Sequence, residues 1–378
     1  VINRDHQAST ADMLFKIAER AVTLSADLIS SQTDRRLARS IRTGNKTLFF
    51  GFTGWKRAFY RAVFSDKDIL FIGEEQYNGP QVIEAAFDCV RNQDVYVWSY
   101  KDPYWLSALC AVNNCTVCRA EDGFLRSVGL GAQHTKPLSI IVERDTDLYF
   151  HKSRSSRLHQ ILRSLDDGQK TQFHEKGSQL KQLILEQNLS KYNFKATGDT
   201  FKASDDSVLV LGQVERDESI RRGPDPYLTC EQLVEVAVRE NPGASVYFKP
   251  HPEVHRGIAE PYSAPFRRFP DLREFPQSVN MFDYAGEFRR VYSISSLAGF
   301  EMLLRGTPVT TLGGPWYAGW GLTDDRSVQQ EATTTGITPE ILLWAAYGEY
   351  PVYFTSHAEK TDVFTVIDIL NSQLAKAD

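Results

Sequence analysis

Ser245-Val246-Tyr247-Phe248-Lys249-Pro250-His251-Pro252 is the stretch on which the fold reading turns. An alternating apolar segment, readable as a buried strand, runs straight into Lys-Pro-His-Pro. Proline cannot continue a sheet ladder, so the strand stops there and the chain turns outward. A cation and an imidazole are left at the carboxyl end of a strand, where open α/β sheets place their ligands. Further on, Arg290-Val291-Tyr292-Ser293-Ile294 reads as a second strand, followed by Ser295-Ser296-Leu297-Ala298-Gly299-Phe300-Glu301. Two hydroxyls and a run of free amides opening a helix make a cradle for a phosphate. Together they predict a nucleotide monophosphate or diphosphate site, and hence an enzyme acting on a nucleotide-sugar.

The chain has 378 residues, too many for one ordinary core and suited to two domains. Its 42% hydrophobic and 24% charged content is that of a soluble globular protein. The net charge of -5 argues against nucleic acid as the main partner, although Arg216, Arg221 and Arg222 cluster, as do Arg267 and Arg268. No apolar run approaches bilayer-spanning length, and the start shows no signal-peptide pattern. The sequence begins at Val1 without methionine and so reads as a module of something longer. Five cysteines form no even framework, which favours a reducing, cytoplasmic setting. Cys115-Thr116-Val117-Cys118 is formally a C-x-x-C pair. It lies in a strand-like apolar run without a second pair, so buried strand thiols are the better reading than a metal or redox site.

Met13, Leu14, Ile17, Ala18, Ala21, Leu24, Leu28 and Ile29 recur at helical spacing, predicting an amphipathic helix within an N-terminal segment, 1–42. Strands alternating with helical stretches follow: 47–52, 68–73, 94–99, 115–119 and 138–142. This is the pattern of a parallel α/β sheet, assigned to a first domain, 43–200. The polar stretch 165–200 reads as the connection to a second α/β set, 201–338, whose strands are 207–212, 245–249, 290–294 and 307–312. Two helix-like segments in 339–378 are expected to pack back on the first domain. The fold class is therefore α/β, with two Rossmann-like domains facing a cleft.

Leu211-Gly212-Gln213-Val214-Glu215-Arg216-Asp217 brings an amide and two carboxylates to the end of a strand. In an extended loop Glu215 and Asp217 share a face, so one can act as base or nucleophile while the other orients it. The alternative is a solvated acidic loop. His251, preceded by Lys249 and frozen between prolines, is presented rigidly, as a site for developing phosphate charge requires. Ser295 and Ser296 fit both plain helix capping and phosphate binding. Glu301 lies deeper in the same helix, placed for a ribose or simply as a surface charge. In Glu121-Asp122-Gly123-Phe124-Leu125-Arg126-Ser127, Arg126 offers a planar fork for a substrate carboxylate, or else a structural salt bridge to Glu121 or Asp122. Gly313-Gly314-Pro315-Trp316-Tyr317-Ala318-Gly319-Trp320-Gly321 is either the lining of a sugar or nucleobase site or a packed hinge. No dinucleotide fingerprint, P-loop or metal-ligand pair is present, so no metal or other cofactor is expected.

Seven of these pieces occur in order between residues 52 and 322. They are Phe52-Thr53-Gly54-Trp55-Lys56-Arg57, the segment from Glu121 through Gly131, Ser153 to Leu158, Gly212 to Asp217, Lys249 to Pro252, Ser295 to Glu301, and Tyr317 to Leu322. The combination resembles the bacterial capsule-polysaccharide β-Kdo transferases of the KpsC type and the similar Kdo-transferase modules of O-antigen-building enzymes. That resemblance implies a GT-B-like fold and transfer of Kdo, with retention, from CMP-Kdo to a sugar hydroxyl of a lipid-linked surface glycan. It further implies work at the inner face of the inner membrane, and further glycosyltransferase modules in the full-length protein. Carried over by residue, the resemblance puts His251-Pro252 and Ser295-Ser296 on CMP, Glu301 near the ribose and Asp217 at the anomeric carbon. Arg126 becomes a candidate for the Kdo carboxylate, and Glu143 a candidate acid or base for the acceptor. Gln213, Glu215 and Lys249 complete the expected donor set. An inverting transferase, a sugar-nucleotide epimerase and a non-catalytic glycan-binding module of an export machine remain as alternatives.

Overall fold

The computed structural model describes residues 32–129, 134–193, 199–261, 263–327 and 335–376. The helix expected before residue 40 lies mostly outside them. The first described helix is α1 (Gln32–Thr43).

The first compact unit holds the described residues up to Glu121, with Ile141–Thr146 and His357–Glu359. The second holds those of Asp122–Ile140, Asp147–Ser356 and Lys360–Asp378. Strands β1 (Thr47–Phe50), β2 (Ile69–Ile72) and β3 (Asp94–Trp98) are short and largely apolar, as strands buried on both faces must be, while β4 (Thr116–Asp122) alternates buried and half-buried residues. Then come β5 (Ser127–Val128), β6 (Ser139–Arg144), β7 (Tyr192–Asn193), β8 (Ser207–Leu211), β9 (Ser245–Lys249) and β10 (Arg273–Glu274). The remainder are β11 (Arg290–Ser293), β12 (Val309–Thr311), β13 (Asp324–Asp325), β14 (Val352–Phe354) and β15 (Lys360–Thr361). One sheet runs β15-β14-β6-β4-β3-β1-β2, parallel from β4 to β2 with an antiparallel hairpin at the other edge. Its connections include α2 (Gly54–Val63), α3 (Pro80–Cys89) and α4 (Leu106–Asn113). Cys118 is buried in β4, where burial pushes its thiol up to about 12, the behaviour of a core residue.

The second sheet, β10-β9-β8-β11-β12-β13, is parallel throughout. The chain lays down β8 first, builds outward through β9 and β10, then returns to the other side of β8 with β11. The order therefore reverses between β8 and β11, the switch point at which open α/β sheets leave a crevice for ligands. The fold is α/β with two largely parallel sheets, as expected.

The helices of the second unit are α5 (Arg157–Ser164), α6 (Asp167–Glu186), α7 (Glu218–Arg221), α8 (Cys230–Glu240), α9 (Pro252–His255), α10 (Pro265–Arg268), α11 (Leu297–Leu304), α12 (Pro339–Leu343) and α13 (Val363–Ala375). The polar stretch read as a connection is mostly the twenty-residue α6, started by a capping box between Asp166 and Gln169. α12 docks on it through Lys181 and Glu340, 2.7 Å apart. α11 is apolar nearly all round and buried.

The aromatic loop after β12 is packing, not a sugar platform. Trp316, Tyr317 and Trp320 are all buried, and Trp316 lies 4.6 Å from the Phe300 ring of α11. Arg154 holds the loop from outside by donating to the Ala318 carbonyl at 2.8 Å. The Tyr317 hydroxyl donates to the Ser296 carbonyl at 2.7 Å, bracing the start of α11 from behind. This explains Gly299: a Cβ there would stand 2.3 Å from the Tyr317 hydroxyl oxygen. Gly299→Ala should cost about 1–3 kcal/mol by overpacking. Urea unfolding checks this, and Tyr317→Phe in the Gly299→Ala background should recover part of the loss.

Candidate functional site

The crevice between β8 and β11 is closed by a side chain that sequence reading had marked. Gln213, two residues past β8, accepts from the Ser295 amide through Oε1 at 2.7 Å and donates through Nε2 to the Ser295 hydroxyl at 3.1 Å. This reciprocal pair spans the switch point and fixes the end of β8 against the start of α11. Gly212 makes the approach possible, since its N–H donates to the Lys249 carbonyl at 2.8 Å and a Cβ would sit 2.8 Å from that oxygen. The Cys230 thiol brackets the Gln213 main chain, accepting from its N–H at 3.4 Å and donating to its carbonyl at 3.5 Å.

Glu215 and Asp217 part company. The expected extended loop is a turn, with the Asp217 amide donating to the Val214 carbonyl at 2.9 Å. Glu215 faces inward and accepts from the amides of Cys230 (2.6 Å) and Ser263 (2.8 Å) and from the Ser263 hydroxyl, tying the turn to α8. Asp217 is exposed and caps α7 by accepting from the Ser219 amide at 2.8 Å. Ser219 in turn meets the Ser295 hydroxyl at 3.3 Å.

His251 caps α9, its Nδ1 accepting from the Glu253 amide at 3.2 Å, and Pro252 occupies the first helical position, where a missing N–H costs nothing. The Gln277 amide holds the preceding Pro250 carbonyl at 2.9 Å. Burial pushes His251 down to about 4, with Asp217 opposing the shift and Lys191 adding to it. The ring is therefore neutral near pH 7. With Nδ1 an acceptor, its proton sits on Nε2, a donor suited to an anion. Glu253 is raised from its ordinary range by burial and by Asp217, with Lys191 opposing.

Lys249 turns toward the β10 edge, donating to the Pro276 carbonyl at 3.4 Å with its ammonium 5.0 Å from the Phe275 ring centre. Burial brings it down to about 8. At α11, Ser296 acts as a cap, accepting from the Ala298 amide at 3.3 Å, while its own amide donates to Ser293 at 3.0 Å. The expected run of free amides is thus largely engaged within the protein. The Leu297 amide takes part in none of these bonds.

Glu301 is buried rather than superficial, and its Oε1 accepts from the Lys191 amide at 3.1 Å. Arg126 is fully buried as well, with its fork turned into the protein. Asp122 lies 2.9 Å from Nε, Ser127 and Thr135 hydroxyls accept at 2.9 and 2.8 Å, and the Thr135 carbonyl accepts at 3.0 Å. The structural salt bridge to Asp122, and not a substrate carboxylate, occupies this arginine. Glu143 is buried near the end of β6 and belongs to the first unit, whereas the residues above belong to the second. Lys191 and Glu253 were missed. Lys191 fell in the stretch read as a connection, whereas Glu253 directly follows the His-Pro pair and was legible as part of it.

Against this geometry, comparison with known proteins is specific. The model of the family described as capsule polysaccharide biosynthesis protein matches residues 93–357. The chain belongs to that family. The lipopolysaccharide-processing protein LpsZ of Rhizobium meliloti is 33% identical over 309 residues, 81% of this chain and 69% of LpsZ. The capsule polysaccharide modification protein LipA of Neisseria meningitidis serogroup B is 32% identical over 290 residues, 72% of this chain but 40% of LipA. Among solved structures, the KpsC β-Kdo 2,4 transferase of Thermosulfurimonas dismutans superposes with a TM-score of 0.70 at 29% identity, covering 86% of this chain and 98% of that one. The β-Kdo 2,7 transferase of the same KpsC gives 0.63 at 23% identity, over 87% and 100%. This capsule-family chain thus has the KpsC-type fold. Among the described residues no helix is long and apolar enough to cross a membrane.

Two expectations follow. Burial raises Glu301 from 4.5 to about 7, with Arg305 and Lys191 opposing. A raised acid favours the fold while protonated, so its contribution is fully present below pH 4.5 and lost as pH rises through about 7. The loss is about 3 kcal/mol. Glu301→Gln keeps the bond from Lys191, and its melting temperature should fall less than the native protein's between pH 5 and 8. Separately, the His251 ring should show nitrogen shifts of the neutral Nε2–H form across pH 6–8. An imidazolium signal at pH 6 would contradict this.

Proposed function

We propose that this chain is a retaining β-Kdo transferase, moving Kdo from CMP-Kdo to a sugar hydroxyl of a lipid-linked bacterial surface glycan. The observation that carries the reading is the exposed Asp217 beside a neutral His251 at the switch point bridged by Gln213 and Ser295, on a KpsC-type fold. An oxygen of Asp217 attacks C2 of the donor sugar, and CMP departs with the electron pair of the broken C2–O bond. Nε2–H of His251 and the start of α11 receive the phosphate charge, so it develops against oriented donors rather than reorganising water. The acceptor hydroxyl then gives its proton to a carboxylate base. Its oxygen attacks C2, releasing Asp217. Two displacements return the starting configuration. C2 carries a carboxylate and has no hydroxyl on the neighbouring C3, so an enzyme carboxylate is a natural partner for the first step. Buried Glu301 is our candidate for a ribose hydroxyl. In this mechanism charge on the leaving phosphate is met by protein donors, and no step requires a metal.

The test is transfer from CMP-Kdo generated in situ to a panel of synthetic glycans, read by mass and anomeric NMR. One β-linked Kdo added is the expected product, and an α-linked one would overturn retention. Asp217→Asn should lower kcat by about three orders of magnitude while changing CMP affinity little. Turnover near the native rate in that variant would remove Asp217 from the mechanism.

A further inference from the structure

The carboxylate of Glu215, expected to hold the donor, is engaged by the protein itself. Oε1 accepts from the Cys230 amide at 2.6 Å and from the Ser263 hydroxyl, and Oε2 accepts from the Ser263 amide at 2.8 Å. Cys230 is the first residue of α8, and the next two amides of that helix are capped as well. The Glu231 amide donates to the Ser263 hydroxyl at 3.3 Å, and the Gln232 amide to the Thr229 hydroxyl at 3.2 Å. Consecutive orphan donors at the start of α8 are thus met by three separate pieces of chain. Of these, Glu215 brings a negative charge to the positive end of the helix.

The other ends of those pieces lead into the site. Asp217 lies at the end of the Glu215 turn, which is closed by the bond from its amide to the Val214 carbonyl. Ser263 ends the loop that leaves α9, and the Ile258 and Ala259 amides fold the start of that loop back onto the Glu253 carbonyl at 2.8 and 3.1 Å. His251, at the head of α9, has supports of its own, since Gly212 holds the Lys249 carbonyl and Gln277 the Pro250 carbonyl. The Asp217 turn leans instead on Glu215. Each oxygen of Glu215 meets an amide N–H, so a glutamine in its place would set NH2 against N–H in either orientation. A carboxylate is required here for its two accepting oxygens.

We propose that Glu215 is a positioning residue: it seats the turn that carries Asp217 on the start of α8 and so sets where the Asp217 carboxylate meets the donor sugar. This rests on the reading of Asp217 as nucleophile above and deepens it. Glu215 touches neither sugar nor phosphate, and acts on the displacement at C2 through the placement of Asp217. A shift of a reacting group by about 1 Å costs on the order of a hundredfold in rate. Donor binding draws on His251 and the start of α11, which are held by other bonds, so the effect falls on kcat rather than on KM.

The test compares native protein, Glu215→Gln and Thr229→Ala for kcat and KM of Kdo transfer from CMP-Kdo, at a temperature where circular dichroism shows each fully folded. Thr229→Ala also removes a cap of α8 but leaves the Glu215 bonds in place, so it reports what loosening the helix start does by itself. Glu215→Gln should lower kcat at least about tenfold with KM for CMP-Kdo within about threefold, while Thr229→Ala keeps kcat within about twofold. Ser263→Ala, a milder change that deletes one bond to the carboxylate, should lower kcat about threefold. It carries the test if Glu215→Gln fails to fold, and a native kcat there would then refute the role. Native kcat in folded Glu215→Gln would overturn the assignment, as would equal losses in Glu215→Gln and Thr229→Ala. A raised KM with unchanged kcat would return Glu215 to donor binding and overturn it equally. Folded native protein that transfers no Kdo would fail the transferase reading itself, and the inference with it.

Discussion

The reciprocal bond between the Gln213 amide and Ser295 is the constraint on which the rest of the site depends. At a switch point the connections leave two neighbouring strands in opposite directions, and the crevice there would otherwise be set by loops alone. Here one side chain uses both its donor and its acceptor to fix the separation. Everything else is referred to that bridge. Asp217 reaches it through Ser219 and the Ser295 hydroxyl. The β9 exit reaches it through the Gly212 amide and the Lys249 carbonyl. A single amide therefore sets the geometry of a carboxylate, an imidazole and a helix start that come from three separate stretches of sequence.

The electrostatic character of the site follows from burial more than from composition. Glu301 and Glu253 are raised by desolvation, while His251 is lowered by it. All three shifts oppose charge, so the pocket favours neutral, hydrogen-bonding forms of groups that are ionic in water. Asp217, by contrast, is exposed. That separation suits chemistry in which one carboxylate forms a bond and others only orient.

The fold was legible because its signals are local. Short apolar runs such as Val208–Leu211 and Val246–Phe248, each stopped by glycine or proline, can hardly be anything but buried parallel strands. Part of the site was legible for the same reason: Gln213, His251 and Ser295 sit at strand ends that the pattern itself marks. What failed depended on tertiary partners. Glu215 and Asp217 are spaced alike on paper, yet a turn sends one to α8 and the other to solvent. Arg126 looked available until Asp122, Ser127 and Thr135 enclosed it. Lys191 carries no local mark at all, because its placement comes from the pairing of β5 with β7 and from a carboxylate more than a hundred residues away.

The brace behind α11 has an evolutionary consequence. Gly299 and Tyr317 share a space that holds either a hydroxyl or a methyl group, but not both. A methyl group at 299 is admissible only after the hydroxyl at 317 is gone, so the two positions form a historical unit. In descendants where the aromatic residue lacks its hydroxyl, alanine becomes admissible at 299, and the Ser296 carbonyl must find another donor. Lineages that crossed that step would carry a differently supported N-terminal end of the helix, and the pair would record it as a correlated replacement.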